Sequence, residues 1–151
     1  MTTFQRRLQA KNSAVYKRLN TKGKNLGGRL PLQMETWAST QAGINPLKGT
    51  TLALVTGSVV LLIPMDMRIG DAKRWNDEQK ALARVGDADI EIACEDQSGN
   101  LLTREQLLGS ALTTGQQLRY RLGDELYSLA PGTLYDNDGL SWKMALVRDK
   151  A

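Results

Sequence analysis

The stretch from Gly86 to Arg148 constrains the fold most, because it reads as short amphipathic strands divided by Gly, Asn and Asp turns. In Ala88-Asp89-Ile90-Glu91-Ile92-Ala93-Cys94 the residues Ala88, Ile90, Ile92 and Cys94 alternate with Asp89, Glu91 and Ala93. That period of two marks a strand with one face in a core. Leu118, Tyr120 and Leu122 alternate with Arg119 and Arg121 in the same way, and Gly123-Asp124 then punctuates the chain before Glu125–Leu129. A Pro131-Gly132 break and an Asn137-Asp138-Gly139 turn follow. The last strand puts Leu140, Trp142, Met144 and Leu146 on one side. Asn, Asp and Gly tolerate the positive φ that tight strand connections require, so these are hairpin signals.

Upstream, Leu52 to Ile63 is apolar but interrupted by Thr56-Gly57-Ser58, which predicts one long strand, or two joined near Gly57, ending at Pro64. At about twelve residues it falls short of the roughly 20 that a membrane-spanning helix needs. Another strand is expected around Leu32–Trp37. Asp71 is placed to cap a short helix over Ala72–Arg84, with Trp75 and Leu82 seven apart on one face. Thr103-Arg104-Glu105-Gln106 has the form of a capping box opening a second short helix. The expected fold is therefore mainly β: a small antiparallel β-barrel or sandwich, residues 30–151, with one or two short helices in insertions and a basic N-terminal helix or arm, residues 1–29.

Charge separates those two parts. Residues 1–34 carry Arg6, Arg7, Lys11, Lys17, Arg18, Lys22, Lys24 and Arg29 and no acid, while the remainder carries twelve bases against sixteen acids. Clustered Lys and Arg without acids is the electrostatic footprint of a partner bearing phosphates or carboxylates, so these eight residues are the partner-binding candidates. A helix over residues 3–19 has Phe4, Leu8, Val15 and Leu19 roughly on one side, but Lys11 interrupts the stripe. Such a helix gains its stability from a partner.

The chain has one cysteine and no histidine, which removes intramolecular disulfides, Cys/His zinc sites and His-based nucleophilic machinery. Cys94 lies on the apolar side of its strand and reads as core. Asp87, Asp89 and Glu91 share one strand face, with Glu95 two steps further, an arrangement that a metal or an acid/base pair can use. The same spacing describes any wet strand face, and nothing nearby completes an acid/base set. Asp136-Asn137-Asp138-Gly139 has Ala145 where a calcium loop needs its bidentate Glu, and Lys24 lacks the glycine and Ser/Thr of a phosphate-binding loop. No catalytic, metal or cofactor-binding residue is expected, and no enzyme activity. Trp37, Trp75 and Trp142 are candidate interface anchors, although Trp142 fits better as core, between Leu140 and Met144.

The order of these features resembles a known family. The run Gly86-Asp87-Ala88-Asp89-Ile90-Glu91-Ile92, then Gly115-Gln116-Gln117-Leu118, Gly123-Asp124-Glu125-Leu126-Tyr127 and the closing Leu140 to Arg148 is similar to the head-closure, or stopper, neck proteins of tailed bacteriophages. There a "GD" precedes a strand, a second "GD…Y" begins the last hairpin and the chain ends on an amphipathic strand. The opening Phe4-Gln5-Arg6-Arg7-Leu8 resembles the basic openings common in that family. The Met65–Arg84 region has no counterpart in it.

The resemblance implies a structural virion protein of the neck, made in the host cytoplasm. It implies a homo-oligomeric ring between portal or adaptor and tail proteins, closing or lining a lumen through which DNA passes without sequence-specific contact. It involves no cofactor and no membrane, and the acidic strand Asp87, Asp89, Glu91 is the candidate channel-facing element. Two alternatives stand beside it: another tail component (terminator, tube-adjacent or baseplate protein), or a monomeric OB-like or SH3-like nucleic-acid-binding module that uses the basic arm.

Overall fold

A computed structural model describes residues 3–7, 30–41 and 50–149. Residues 3–7 are helical (α1). The rest of the expected 3–19 helix lies outside the described residues, as do Lys11, Lys17, Arg18, Lys22, Lys24 and Arg29 of the basic segment. The body is mainly β, as the alternating segments require. Its strands are β1 (Leu32–Gln41), β2 (Thr50–Leu54), β3 (Val60–Leu61), β4 (Pro64–Asn76), β5 (Ala81–Ala93), β6 (Gln116–Leu122), β7 (Glu125–Leu129), β8 (Tyr135–Asn137) and β9 (Ser141–Arg148). One helix, α2 (Arg104–Leu108), interrupts them between β5 and β6.

All the pairings are antiparallel, in the order β2-β1-β6-β7-β9-β5-β4, with β3 added to β1 and β8 to β9. The ladder is not closed: β2 and β4 end it, each pairing with a single strand among the described residues. The sheet nevertheless curls until its two halves touch at one end, where Gln97 donates its backbone N–H to Leu61 O at 2.9 Å and its side-chain Nε2 to Leu62 O at 3.1 Å. The interior of the curl is the core.

Register follows from burial. Ile90 faces Met144, Ala88 faces Leu146, Met34 faces Tyr120 and Leu32 faces Leu122 across their ladders, so every inward residue meets an inward partner. A slip by one would turn each set to solvent. Leu32, Ile90, Ile92, Tyr120, Met144 and Leu146 are fully buried, each contributing about 1.5–3 kcal/mol of apolar burial. Trp142 packs against this cluster and Cys94 is buried, as expected. Helix α2 plugs one end of the curl. Thr103 and Gln106 form the expected capping box, Gly109 closes the helix in the left-handed region at φ 73°, and buried Leu107 accepts a 2.6 Å hydrogen bond from Tyr120 Oη at its carbonyl.

Local chemistry also places the turns. Asp138 (φ 52°) and Gly139 (φ 72°) join β8 to β9, and Gly123 (φ 61°) joins β6 to β7. The apolar run 52–63 forms two strands on the same flank of β1, separated by a turn at Gly57.

One expectation is overturned. Ala72–Arg84 is not a helix capped by Asp71: the segment is the distal half of a long β4–β5 hairpin, in which Trp75 and Leu82 are cross-strand partners. Asp71 instead forms an ion pair with Arg84 at 3.0 Å.

Candidate functional site

The acidic strand face is built by β5. Ala88, Ile90 and Ile92 turn inward, so Asp87, Asp89 and Glu91 all project from the outer face of the sheet. Each carboxylate has its own donor. Asp87 accepts from the backbone N–H of Arg148 at 2.8 Å and from the Arg84 guanidinium, and the first of these, then Arg84, holds its carboxyl below the usual Asp range against the opposing effect of desolvation. Asp89 takes a two-pronged contact from Arg74, at 2.9 and 3.0 Å. Glu91 accepts from Ser141 Oγ at 2.6 Å and stands in register between Asp66 on β4 and Lys143 on β9.

The Arg74–Asp89 pair reveals the shape of the hairpin. Arg74 is in register with Ala83, six residues before Asp89. On a straight ribbon that separation is roughly 20 Å, beyond the reach of an arginine. The ribbon therefore bends, and its irregularities sit where the bend is needed: register shifts between Ile69 and Lys73, and Gly70 at φ 133°. At Gly86 the strands approach so closely that a Cβ would lie 2.8 Å from the Leu146 carbonyl oxygen. The distal ribbon thus folds over the outer face, where Ala72 packs on Ala130 and Ala145. Ala145 occupies an outward position between inward Met144 and Leu146, yet is 0% exposed because the hairpin covers it. Beneath the fold lies an open cleft of about 340 Å³ lined by Asp66, Arg68, Arg74, Glu91, Tyr135 and Lys143 among others, with both signs of charge.

A second polar cluster, which the alternation gave no reason to single out, lies on the outer face of β1. Glu35 has a side chain only 2% exposed and accepts from Arg121 Nε (2.7 Å) and Nη2 (3.2 Å), Gln33 Nε2 (2.5 Å) and Trp37 Nε1 (3.1 Å). Desolvation alone would raise its pKa. The bonds from Arg121, Gln33 and Trp37 outweigh it and hold the carboxyl below the usual Glu range. The only legible signal was an acid inside the otherwise uncharged strand Leu32–Trp37.

The two ends of the sheet carry large exposed apolar groups. Leu52 (41%) and Leu54 (43%) lie on β2, while Ile69, Trp75 (60%) and Leu82 (64%) lie on the hairpin. Near β2, Trp37, Leu52 and Leu126 line an open cleft of about 390 Å³ together with the Arg119–Asp149 ion pair. Of the basic segment, Arg6 and Arg7 are described, and both are exposed. Among the described residues no three metal-ligating side chains converge and no helix is long and apolar enough to cross a membrane. Compared with protein-family models, curated proteins and solved structures, the chain finds no match.

Proposed function

We propose that this chain is a structural subunit of a homo-oligomeric ring in the neck of a tailed-phage particle, of the head-closure kind. The observation that carries the reading is the open sheet. Among the described residues β2 and β4 end the strand order, and each end bears large exposed apolar side chains. Such edges invite strand pairing and such patches mark interaction sites, so they suit a chain whose neighbours are further copies. Gly123-Asp124 before β7 and the amphipathic closing strand support the neck assignment by resemblance, whereas Gly86-Asp87, expected to open a strand, lies inside β5 because the chain pairs with β4 from Ala81 onward.

In this reading the part of the outer face of β5 that the hairpin leaves open lines the lumen. Asp87 and Asp89 are compensated by Arg84 and Arg74, while Glu91 takes a neutral hydrogen bond from Ser141, and a face that is mostly balanced neither captures nor strongly repels a passing polyanion. The basic segment reaches an adjoining protein.

Mass spectrometry of purified particles tests the assignment. The chain is expected at a fixed stoichiometry in particles, and its consistent absence refutes the reading. The competing reading, a monomeric nucleic-acid-binding module, rests on the exposed Arg6 and Arg7 and the bases that follow them. DNA affinity that falls steeply with salt and vanishes when Arg6, Arg7, Lys17 and Arg18 are neutralised would establish it instead.

A further inference from the structure

We infer that the N-terminal helix α1 of one copy seats Phe4 in the apolar groove between α2 and β1 of an adjoining copy. The inference rests on the ring reading and adds to it the surfaces that meet.

The groove lies where α2 plugs the curl. Its lining is mostly apolar, with Met34, Val60, Leu112 and Leu118 prominent, and its volume is about 150 Å³. Gly109 shapes it: the left-handed turn that ends α2 passes so near β6 that a Cβ there would lie 3.1 Å from the Cβ of Leu118. The polar groups on its walls are largely used. Ser58 Oγ donates to Val55 O at 2.7 Å and accepts from Thr36 N–H at 3.2 Å, and Gln106 is engaged in the capping box. An apolar cavity of about 150 Å³ takes up one benzene ring. The lining also holds one acid, Glu105, and no base. Glu105 is exposed, and no cation of the described residues lies within ion-pair distance of it. The groove therefore calls for an aromatic side chain with positive charge beside it.

Helix α1 answers that description. Phe4 is the only phenylalanine of the chain and, at 70% exposure, the most exposed large apolar residue of those described. Arg6 and Arg7 follow it within the same helical turn, both exposed, in a segment (residues 1–34) that has eight bases and no acid. Opposite charge at the rim thus complements apolar fit at the centre.

Exposure also decides whose groove is filled. A Phe4 seated in its own copy would be covered, and it is not. Length allows the neighbour. Residues 8–29 join α1 to Leu30, and the body begins there, where Pro31 O accepts from Gly123 N–H at 2.9 Å. Those 22 residues span at most about 70–80 Å, at roughly 3.3–3.6 Å per residue. A folded body of this size is about 35 Å across, so the tether reaches an adjoining copy. One aromatic anchor on a short helix binds weakly by itself, but within a ring the tether holds it at high effective concentration. Every copy gives one helix and receives one, which is the heterologous arrangement that closes into a ring.

The test places the photoreactive amino acid p-benzoylphenylalanine at Phe4, which keeps an aromatic ring there, and mixes this protein with isotope-labelled chain lacking the probe. Irradiation is carried out on concentrated purified protein and on particles. Intermolecular cross-links are expected on peptides carrying Met34, Leu112 or Leu118. Leu112→Asp in the labelled partner is expected to reduce their yield roughly tenfold or more. Glu105→Lys in the partner should lower it as well, and Arg6→Glu with Arg7→Glu in the probe-bearing chain should restore it. Circular dichroism confirms that each variant is folded. Cross-links within one copy, to a different protein of the particle or outside the groove overturn the contact. A yield indifferent to Leu112→Asp, a charge exchange that restores nothing, or no intermolecular product in either sample overturns it too. The two readings fail separately. A chain present in particles whose probe cross-links elsewhere sinks this contact and spares the ring. Groove cross-links between purified copies of a chain absent from particles do the reverse.

Discussion

Replacing Glu35 by glutamine is expected to destabilise the protein more than its position on an outer sheet face implies. The carboxylate is 2% exposed and receives four hydrogen bonds, two of them from Arg121. Glutamine keeps one acceptor but turns an amide donor toward donors. Breaking a buried charge pair by removing one partner costs about 3–5 kcal/mol. Arg121 is 32% exposed and can recover water, so the cost falls below that range, to about 2–3 kcal/mol. At about 2–4 °C per kcal/mol for a chain of this size, the melting temperature should fall by roughly 5–10 °C.

The reverse change, Arg121→Met, should cost more, because it strands the buried carboxylate rather than the half-hydrated guanidinium. The pH dependence provides a sign check. The folded pKa of Glu35 lies below its ordinary value of 4.5, so its stabilisation is complete above that value and is lost as pH falls through the folded pKa. Urea unfolding followed by circular dichroism from pH 7 to pH 3 should therefore show the gap between wild type and Glu35→Gln narrowing below about pH 4.5. Asp87, also shifted down, titrates in both proteins and cancels from the difference. A variant as stable as wild type at pH 7, or a gap that does not narrow in acid, would refute the account of this cluster.

Three further outcomes are expected. Gly86→Ala drives a Cβ to 2.8 Å from the Leu146 carbonyl oxygen on a neighbouring strand, so a loss of about 1–3 kcal/mol should appear in the same unfolding assay. Tyr120→Phe removes the 2.6 Å bond to Leu107 O and leaves that carbonyl buried without its phenol donor. A cost of about 1–2 kcal/mol follows, and the buried phenol, its pKa raised by desolvation, should stay protonated in an ultraviolet titration through the range where ordinary tyrosines ionise. Arg74→Ala releases the distal hairpin from Asp89. Amide exchange should quicken over residues 72–85 while Ile90 and Met144 keep their protection, and unchanged exchange in the hairpin would show that Ala72 alone holds it.

Sequence by itself determined what local chemistry controls. The alternation in β5 and β9 identified which side chains face the core, because a strand has only two faces and one of them was apolar. The capping box of α2 and the turns at Gly123 and Asn137-Asp138-Gly139 are set by residues within a few positions of one another. Ala72–Arg84 was misread because a seven-residue spacing puts Trp75 and Leu82 on one face of a helix as well as opposite one another across a hairpin turn. The bulges near Gly70 also break the alternation that marks a strand.

Tertiary structure alone decided the rest. Glu35 meets Arg121 across 86 residues, and the acidic row of β5 finds its cations on a hairpin that has to bend back to deliver Arg74. Whether an outward carboxylate is solvated or buried, and whether two sheet ends are left open with apolar groups upon them, depends on which distant strands become neighbours. That choice is made by summed burial over the whole core, and no short stretch of the sequence encodes it.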